Sequence, residues 1–173
     1  MQYNVAQLLN EPTGSTRRVQ LETGPGYSGD LAVAYGGSLE FLRTHQGLLV
    51  RGNVQASVVL TCGRCLNEFS SPNQLEVEEE FYSLVDVNTG ERMDSVWDFE
   101  GTVIDFDHVL DMSEVLRQYT IAAQPIKPLC RTDCGGLCQE CGVDLNQESC
   151  KCSEDAIDPR WKDLAALLDQ SET

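Results

Sequence analysis

From Leu48 to Cys62 the chain alternates with a period of two: Leu48, Val50, Gly52, Val54, Ala56, Val58 and Leu60 hold one set of positions, and Arg51, Asn53, Gln55, Ser57 and Thr61 the other. That period places successive side chains on opposite faces, so a long strand with one buried and one wet face is predicted. Residues 38–44 read as the preceding strand through Leu39 and Phe41, turning at His45-Gln46-Gly47. Leu75, Val77 and Phe81 carry the pattern onward, with Glu76, Glu78 and Glu80 interleaved toward water. The first half is therefore expected to be an antiparallel β-sheet or partial barrel.

The period changes near residue 111. Met112, Val115, Leu116, Tyr119, Ala122 and Ala123 share one helical face until Pro125, and Asp111-Met112-Ser113-Glu114 has the form of a capping box, which predicts a helix over about 111–124. Residues 83–102, with Asn88-Thr89-Gly90 and many charges, read as a loop or an excursion of the sheet. Asp158 and Pro159 open a short last helix whose Trp161, Leu164, Ala165 and Leu168 share a face. The fold class is α+β. A sheet body with its packed helix occupies 1–125, a cysteine-rich zinc-knuckle lobe with a C-terminal helix occupies 126–173, and the two pack as one compact unit.

Cysteine supplies the chemistry. Eight thiols occur in 173 residues, as Cys62-x2-Cys65 and then Cys130-x3-Cys134-x3-Cys138-x2-Cys141-x8-Cys150-x-Cys152. The N-terminus shows neither a basic nor an apolar leader region, and no run approaches the roughly 18 apolar residues of a membrane span, so a cytoplasmic protein with reduced thiols is expected. Paired thiols in that setting read as metal ligands, and eight suffice for two structural zinc sites of four cysteines each. Cys138, Cys141, Cys150 and Cys152 are close enough in sequence to form one site, which leaves Cys62, Cys65, Cys130 and Cys134 for the other. Gly63 and Gly142 are expected to free the backbone of the two knuckles. A second grouping, Cys130, Cys134, Cys138 and Cys141 against Cys62, Cys65, Cys150 and Cys152, fits the spacing as well. Cys134-x3-Cys138-x2-Cys141 also matches the cluster loop of radical S-adenosylmethionine enzymes, which makes an iron-sulfur redox protein the alternative.

Charge narrows the partners. The formal net charge is −16, and residues 66–114 carry Arg92 alone against 14 acidic groups. No basic stripe of the kind that neutralises many phosphates is present; Arg51, Arg64, Lys127 and Arg131 are the candidate contacts to RNA or a partner. The acidic stretch suits docking of a basic protein, in the manner of an adaptor or chaperone. Catalysis is not expected. G-x-S-x-G, P-loop and G-x-G-x-x-G motifs are absent, His45 and His108 stand outside any H-x-E arrangement, and four thiolates close a zinc ion to water. Neither a membrane nor a small-molecule substrate is expected as a partner.

Leu60-Thr61-Cys62-Gly63-Arg64-Cys65-Leu66, the acidic strand ending Glu79-Glu80-Phe81, the block from Pro125 to Asn146 with its four cysteines, and Asp158-Pro159-Arg160 together resemble the YceD family. The resemblance extends to Val5-Ala6-Gln7-Leu8-Leu9. It implies a bacterial or plastid factor supporting synthesis, processing or stability of 23S ribosomal RNA, with ribosomal RNA or a basic large-subunit protein as partner. It supplies no catalytic residues. Some members of that family lack the second cysteine cluster while keeping ligand-type residues at positions resembling Cys130 and Cys134, which agrees with the first grouping.

Overall fold

The structure, a computed structural model, describes residues 1–22, 26–28, 31–87, 89–92, 102–152 and 161. These residues form strands β1 (Gln2–Asn4), β2 (Thr16–Glu22), β3 (Gly26–Ser28), β4 (Leu31–Arg43), β5 (Gly47–Thr61), β6 (Glu68–Ser83), β7 (Val103–Ile104) and β8 (Val109–Asp111), with helices α1 (Ala6–Leu9) and α2 (Ser113–Ala122). One sheet takes all the strands in the order β1-β8-β7-β6-β5-β4-β2, and β3 also pairs with β4. The chain forms two compact units: Met1–Cys62 with Asn67–Cys130, and Gly63–Leu66 with Arg131–Thr173.

In the first unit the alternation of β5 becomes its two faces. Leu48, Val50, Val54, Ala56 and Val58 are buried, while Arg51, Asn53, Gln55 and Ser57 are exposed. At the β4–β5 turn the Thr44 N–H donates to the Gly47 carbonyl at 3.0 Å and the Gly47 N–H to Thr44 Oγ1 at 3.1 Å. Gly47 is required there, because a Cβ would stand 1.8 Å from the Phe81 carbonyl oxygen on β6. The β5–β6 ladder then runs from Gly47↔Tyr82 to Thr61↔Glu68 and delivers Cys62 to its far end.

The core gathers Leu39, Phe41, Leu48, Val50, Val54 and Phe81 from the long strands, Leu8 from α1, and Met112 and Leu116 from α2 and its cap. Each such side chain contributes about 1.5–3 kcal/mol by leaving water. Tyr3 on β1 meets Phe41 on β4 edge to face, with centroids 5.3 Å apart, so the sheet curls until its first strand lies over its fourth. The buried Tyr35 hydroxyl lies 3.1 Å from Thr120 Oγ1, whose own proton goes to the Leu116 carbonyl at 2.6 Å, and this ties β4 to α2.

Three expectations change. The sheet is mixed, since β7 runs parallel to β6 at Tyr82↔Val103. The sequence between those residues is long enough for a crossover where a hairpin would have reversed direction. The sheet also extends beyond the first half, through β7 and β8. The capping box does not form: Asp111 stays in β8 opposite Gln2, its carboxylate accepts the Ser113 N–H at 2.8 Å, and Met112 caps α2. Glu114 reaches forward instead, to Arg117 at 2.6 Å and Gln118 at 3.0 Å. Within residues 83–102 a small turn brings Val85 opposite Arg92. The expected C-terminal helix lies outside the described residues apart from Trp161, which is exposed. Among the described residues no helix is long and apolar enough to cross a membrane.

Candidate metal centres

Two turns of the chain repeat one design. In the first, the Cys62 N–H donates to the Asn67 carbonyl at 2.9 Å, five residues on; in the second, the Cys138 N–H donates to the Val143 carbonyl at 2.9 Å, again five residues on. The residue after the second thiol is left-handed in both, Leu66 with φ 60° and Gly142 with φ 73°. The freedom expected of Gly63 is thus used at Leu66, whose side chain remains mostly exposed. Each turn brings its two sulfurs within reach of each other, and in the second the backbone N–H groups of Glu140 and Cys141 face the Cys138 sulfur.

Within the second unit, residues 134–137 cradle the Gly63–Leu66 segment. The Leu137 N–H donates to the Arg64 carbonyl at 3.2 Å and Arg64 Nη1 donates to the Cys134 carbonyl at 2.8 Å. Gly136, with φ 75°, keeps this close approach open, because its Cβ would lie 3.3 Å from Arg64 atoms.

The sulfurs of Cys62, Cys65, Cys130 and Cys134 all lie within 4.8 Å of one another, as do those of Cys138, Cys141, Cys150 and Cys152. A tetrahedral ion with metal–sulfur bonds of about 2.3 Å needs sulfurs about 3.8 Å apart, so each group can hold one ion. A four-iron cube bonds each cysteine to a different iron and spreads the sulfurs further. Cys134 and Cys138 fall in different groups, so Cys134-x3-Cys138-x2-Cys141 does not act as one loop, and the second grouping allowed by spacing is not the one formed.

The two groups differ in exposure. Cys62, Cys65 and Cys134 are buried and Cys130 half-buried, whereas Cys141 is exposed and its three partners half-buried. In the exposed group the backbone N–H groups of Cys141 and Glu140 pull Cys138 down to about 6. Cys152 is pushed up to about 12 by its hydrogen bond to Cys141, by burial and by its thiol neighbours. Four thiols packed this closely cannot all ionise unless a cation joins them.

The candidate contact residues have structural uses. Arg51 grips Glu40 on the wet face of the sheet through Nε at 2.9 Å and Nη2 at 2.7 Å, and with Arg18 it holds the Glu40 carboxyl below its ordinary range. Arg64 braces the first knuckle, and Arg131 Nη2 donates to Asn146 Oδ1 at 2.6 Å. Lys127 is exposed beside Ile126, itself 99% exposed. His45 is exposed at its turn, and His108 adopts φ 58° in the loop before β8. Asn146 was not expected as a functional residue; its signal in the sequence is its place midway between the thiol pairs of the second group.

Comparison with known proteins finds relatives of this chain. The model of the family described as "Large ribosomal RNA subunit accumulation protein YceD" matches residues 50–168. That span takes in all eight cysteines and leaves out Val5–Leu9. An uncharacterized protein of Mycobacterium tuberculosis is 35% identical over 123 residues, covering 71% of this chain and 56% of the relative. One of Mycobacterium leprae is 34% identical over 126 residues, covering 71% and 54%. A chloroplastic Arabidopsis thaliana protein named as a YCED homolog of the large ribosomal RNA subunit accumulation proteins is 26% identical over 156 residues, covering 78% and 49%. The chain thus spans about half the length of these curated relatives. No solved structure matches it.

Proposed function

The chain belongs to the YceD family of large ribosomal RNA subunit accumulation proteins, and from that membership we propose that it is a non-catalytic, zinc-holding factor supporting synthesis, processing or stability of 23S ribosomal RNA during large-subunit assembly. The observation that carries the zinc assignment is the pair of all-cysteine groups, each with its four sulfurs within 4.8 Å. Four thiolates suit zinc, fill a tetrahedral shell and leave no position for an activated water. The zinc ions would hold the two knuckles in shape, and the surface so built would do the work by binding.

Charge supports a protein partner over bare RNA. Glu76 and Glu78 are exposed on β6, and Arg51, Arg64 and Arg131 are engaged by the protein's own acceptors. A basic large-subunit protein is the partner this surface suits, and the acidic face would steer it electrostatically. The site of action is the compartment where large-subunit RNA is made, the cytoplasm of a bacterium; the Arabidopsis relative is named as chloroplastic.

Metal analysis and a visible spectrum test the site: two colourless zinc ions per chain are expected, and brown charge-transfer absorption would establish iron in their place. In cells lacking the protein, the ratio of 23S to 16S RNA should fall and recover with the parent gene but not with a Cys62→Ser copy. An unchanged ratio would sink the ribosomal reading.

A further inference from the structure

We propose that Asn146 couples the two four-cysteine groups, so that an ion in one tightens the other. The inference rests on the metal-binding reading above and adds a regulation of loading to it.

Asn146 lies on the segment between Cys141 and Cys150, whose two ends are ligands of the second group, and it reaches into the segment between Cys130 and Cys134, whose two ends are ligands of the first. Its Oδ1 accepts from Arg131 Nη2 at 2.6 Å and from the Gly135 N–H at 2.7 Å. Its Nδ2 donates to Asp144 Oδ1 at 2.6 Å and to the Cys134 sulfur at 3.5 Å. All four hydrogen-bonding positions of the amide are filled, and the partners dictate its orientation: two donors face the oxygen, a carboxylate and a sulfur face the nitrogen. Asp144 Oδ1 also accepts the Asn146 N–H at 2.9 Å, which fixes the backbone from which the side chain extends.

Cys134 is only 2% exposed, so an N–H donor there acts on a thiolate shielded from water, where a charge-assisted bond is strong. An ion at the second group closes the loop from Cys141 to Cys150 and holds Asn146 in reach of that sulfur. With the second group empty, the same bond would have to be formed from a loose loop. Linkage makes the effect reciprocal: an ion on Cys134 strengthens the sulfur as an acceptor, anchors Asn146 and pre-forms the second group.

The test uses the full chain, stripped of metal and titrated with Co²⁺ against a competing chelator, the thiolate-to-cobalt charge-transfer band reporting each site. In Cys150→Ser the remaining intact group should bind Co²⁺ about ten- to a hundredfold more weakly than in the parent, the range found when a group supporting a metal ligand is lost. Asn146→Ala with all eight cysteines should weaken the first group similarly. It should also move that group's band to lower energy, because a sulfur without its N–H donor holds its electrons less tightly. Adding Cys150→Ser to Asn146→Ala should then change the first group by no more than about twofold. Where the alanine variant fails to fold, Asn146→Asp keeps the acceptors for Arg131 and Gly135, removes the donor to sulfur, and should give the same band shift. Two ions bound with independent affinities, or a Cys150→Ser loss of equal size with and without Asn146, would overturn the coupling alone. No cobalt uptake by the parent would overturn the metal reading and the coupling with it.

Discussion

The Tyr119 hydroxyl closes the open edge of β6 at Glu78. It accepts the Glu78 N–H at 3.3 Å and stands 3.1 Å from the Glu78 carbonyl, with Glu79 Oε1 at 3.2 Å as a second acceptor for its proton. β7 takes over that edge only from Tyr82 onward, so a helix side chain substitutes for a strand at this position. Burial, together with the nearby Glu79 carboxylate, pushes the phenol's ionisation upward and keeps the donor in place.

Tyr119→Phe should therefore destabilise the first unit by about 1–2 kcal/mol, since it removes the hydroxyl and leaves the ring contacts nearly intact. Thermal melting checks the size. Faster hydrogen exchange at the Glu78 amide, with α2 still folded, locates the effect; unchanged exchange there would contradict it.

Cys62 is fully buried at the end of β5, whereas the second group's thiols are half-buried to exposed. Apparent binding energies of structural zinc are on the order of 10–16 kcal/mol, so losing a buried ligand should be felt throughout a cooperative unit. Cys62→Ser should lower the melting temperature of the whole protein, while Cys150→Ser should release the second group's ion, lower the melting temperature less, and act mainly on residues 131–152. Equal losses in calorimetry and metal count would refute separate roles for the two groups.

Leu66 carries a left-handed backbone with a side chain 63% exposed. That conformation costs an L-residue about 1–2 kcal/mol, and little burial offsets it. Leu66→Gly should leave stability unchanged or raise it by up to about 1 kcal/mol, after the greater chain entropy of glycine is deducted. Leu66→Val, branched at Cβ, should lower it by more than about 1 kcal/mol. Chemical denaturation of the metal-loaded proteins distinguishes these outcomes, and a stabilised valine variant would rule out the strain.

Glu114 is lowered from its ordinary 4.5 to about 2, first by its hydrogen bond from Arg117 and then by that from Gln118. A carboxyl whose folded pKa is depressed contributes stability above its unfolded pKa and loses it as pH falls through the folded value. The melting difference between the parent and Glu114→Gln should hold at pH 7, shrink from about 4.5 downward, and vanish near 2. A difference that persists at pH 2 would mean the glutamate acts through something other than its charge.

Local regularities account for what could be read from the residues. The buried face of β5 and the interleaved glutamates of β6 followed from a period of two, and α2 from a period near four, because each pattern reports which side of an element leaves water. The cysteine spacings likewise placed two sulfurs on each knuckle, since a C-x2-C turn needs nothing beyond itself. The backbone freedom expected of Gly142 is used there, as a left-handed position, whereas that expected of Gly63 is used at Leu66.

Long-range pairing was decided only by the folded chain. The parallel seat of β7 on β6 and the meeting of Gln2 with Asp111 depend on how distant segments close together, and no periodicity encodes it. Asp111 illustrates the consequence: its local pattern specified a capping box, and the ladder with β1 kept it in a strand. Spacing alone allowed two divisions of the eight thiols; the tertiary arrangement brought Cys130 and Cys134 to the knuckle at the end of the β5–β6 ladder and left the other four together. Asn146 gained its four partners in the same way, because a hydrogen-bonded amide is defined by what surrounds it in space, and its neighbours in sequence name only one of them.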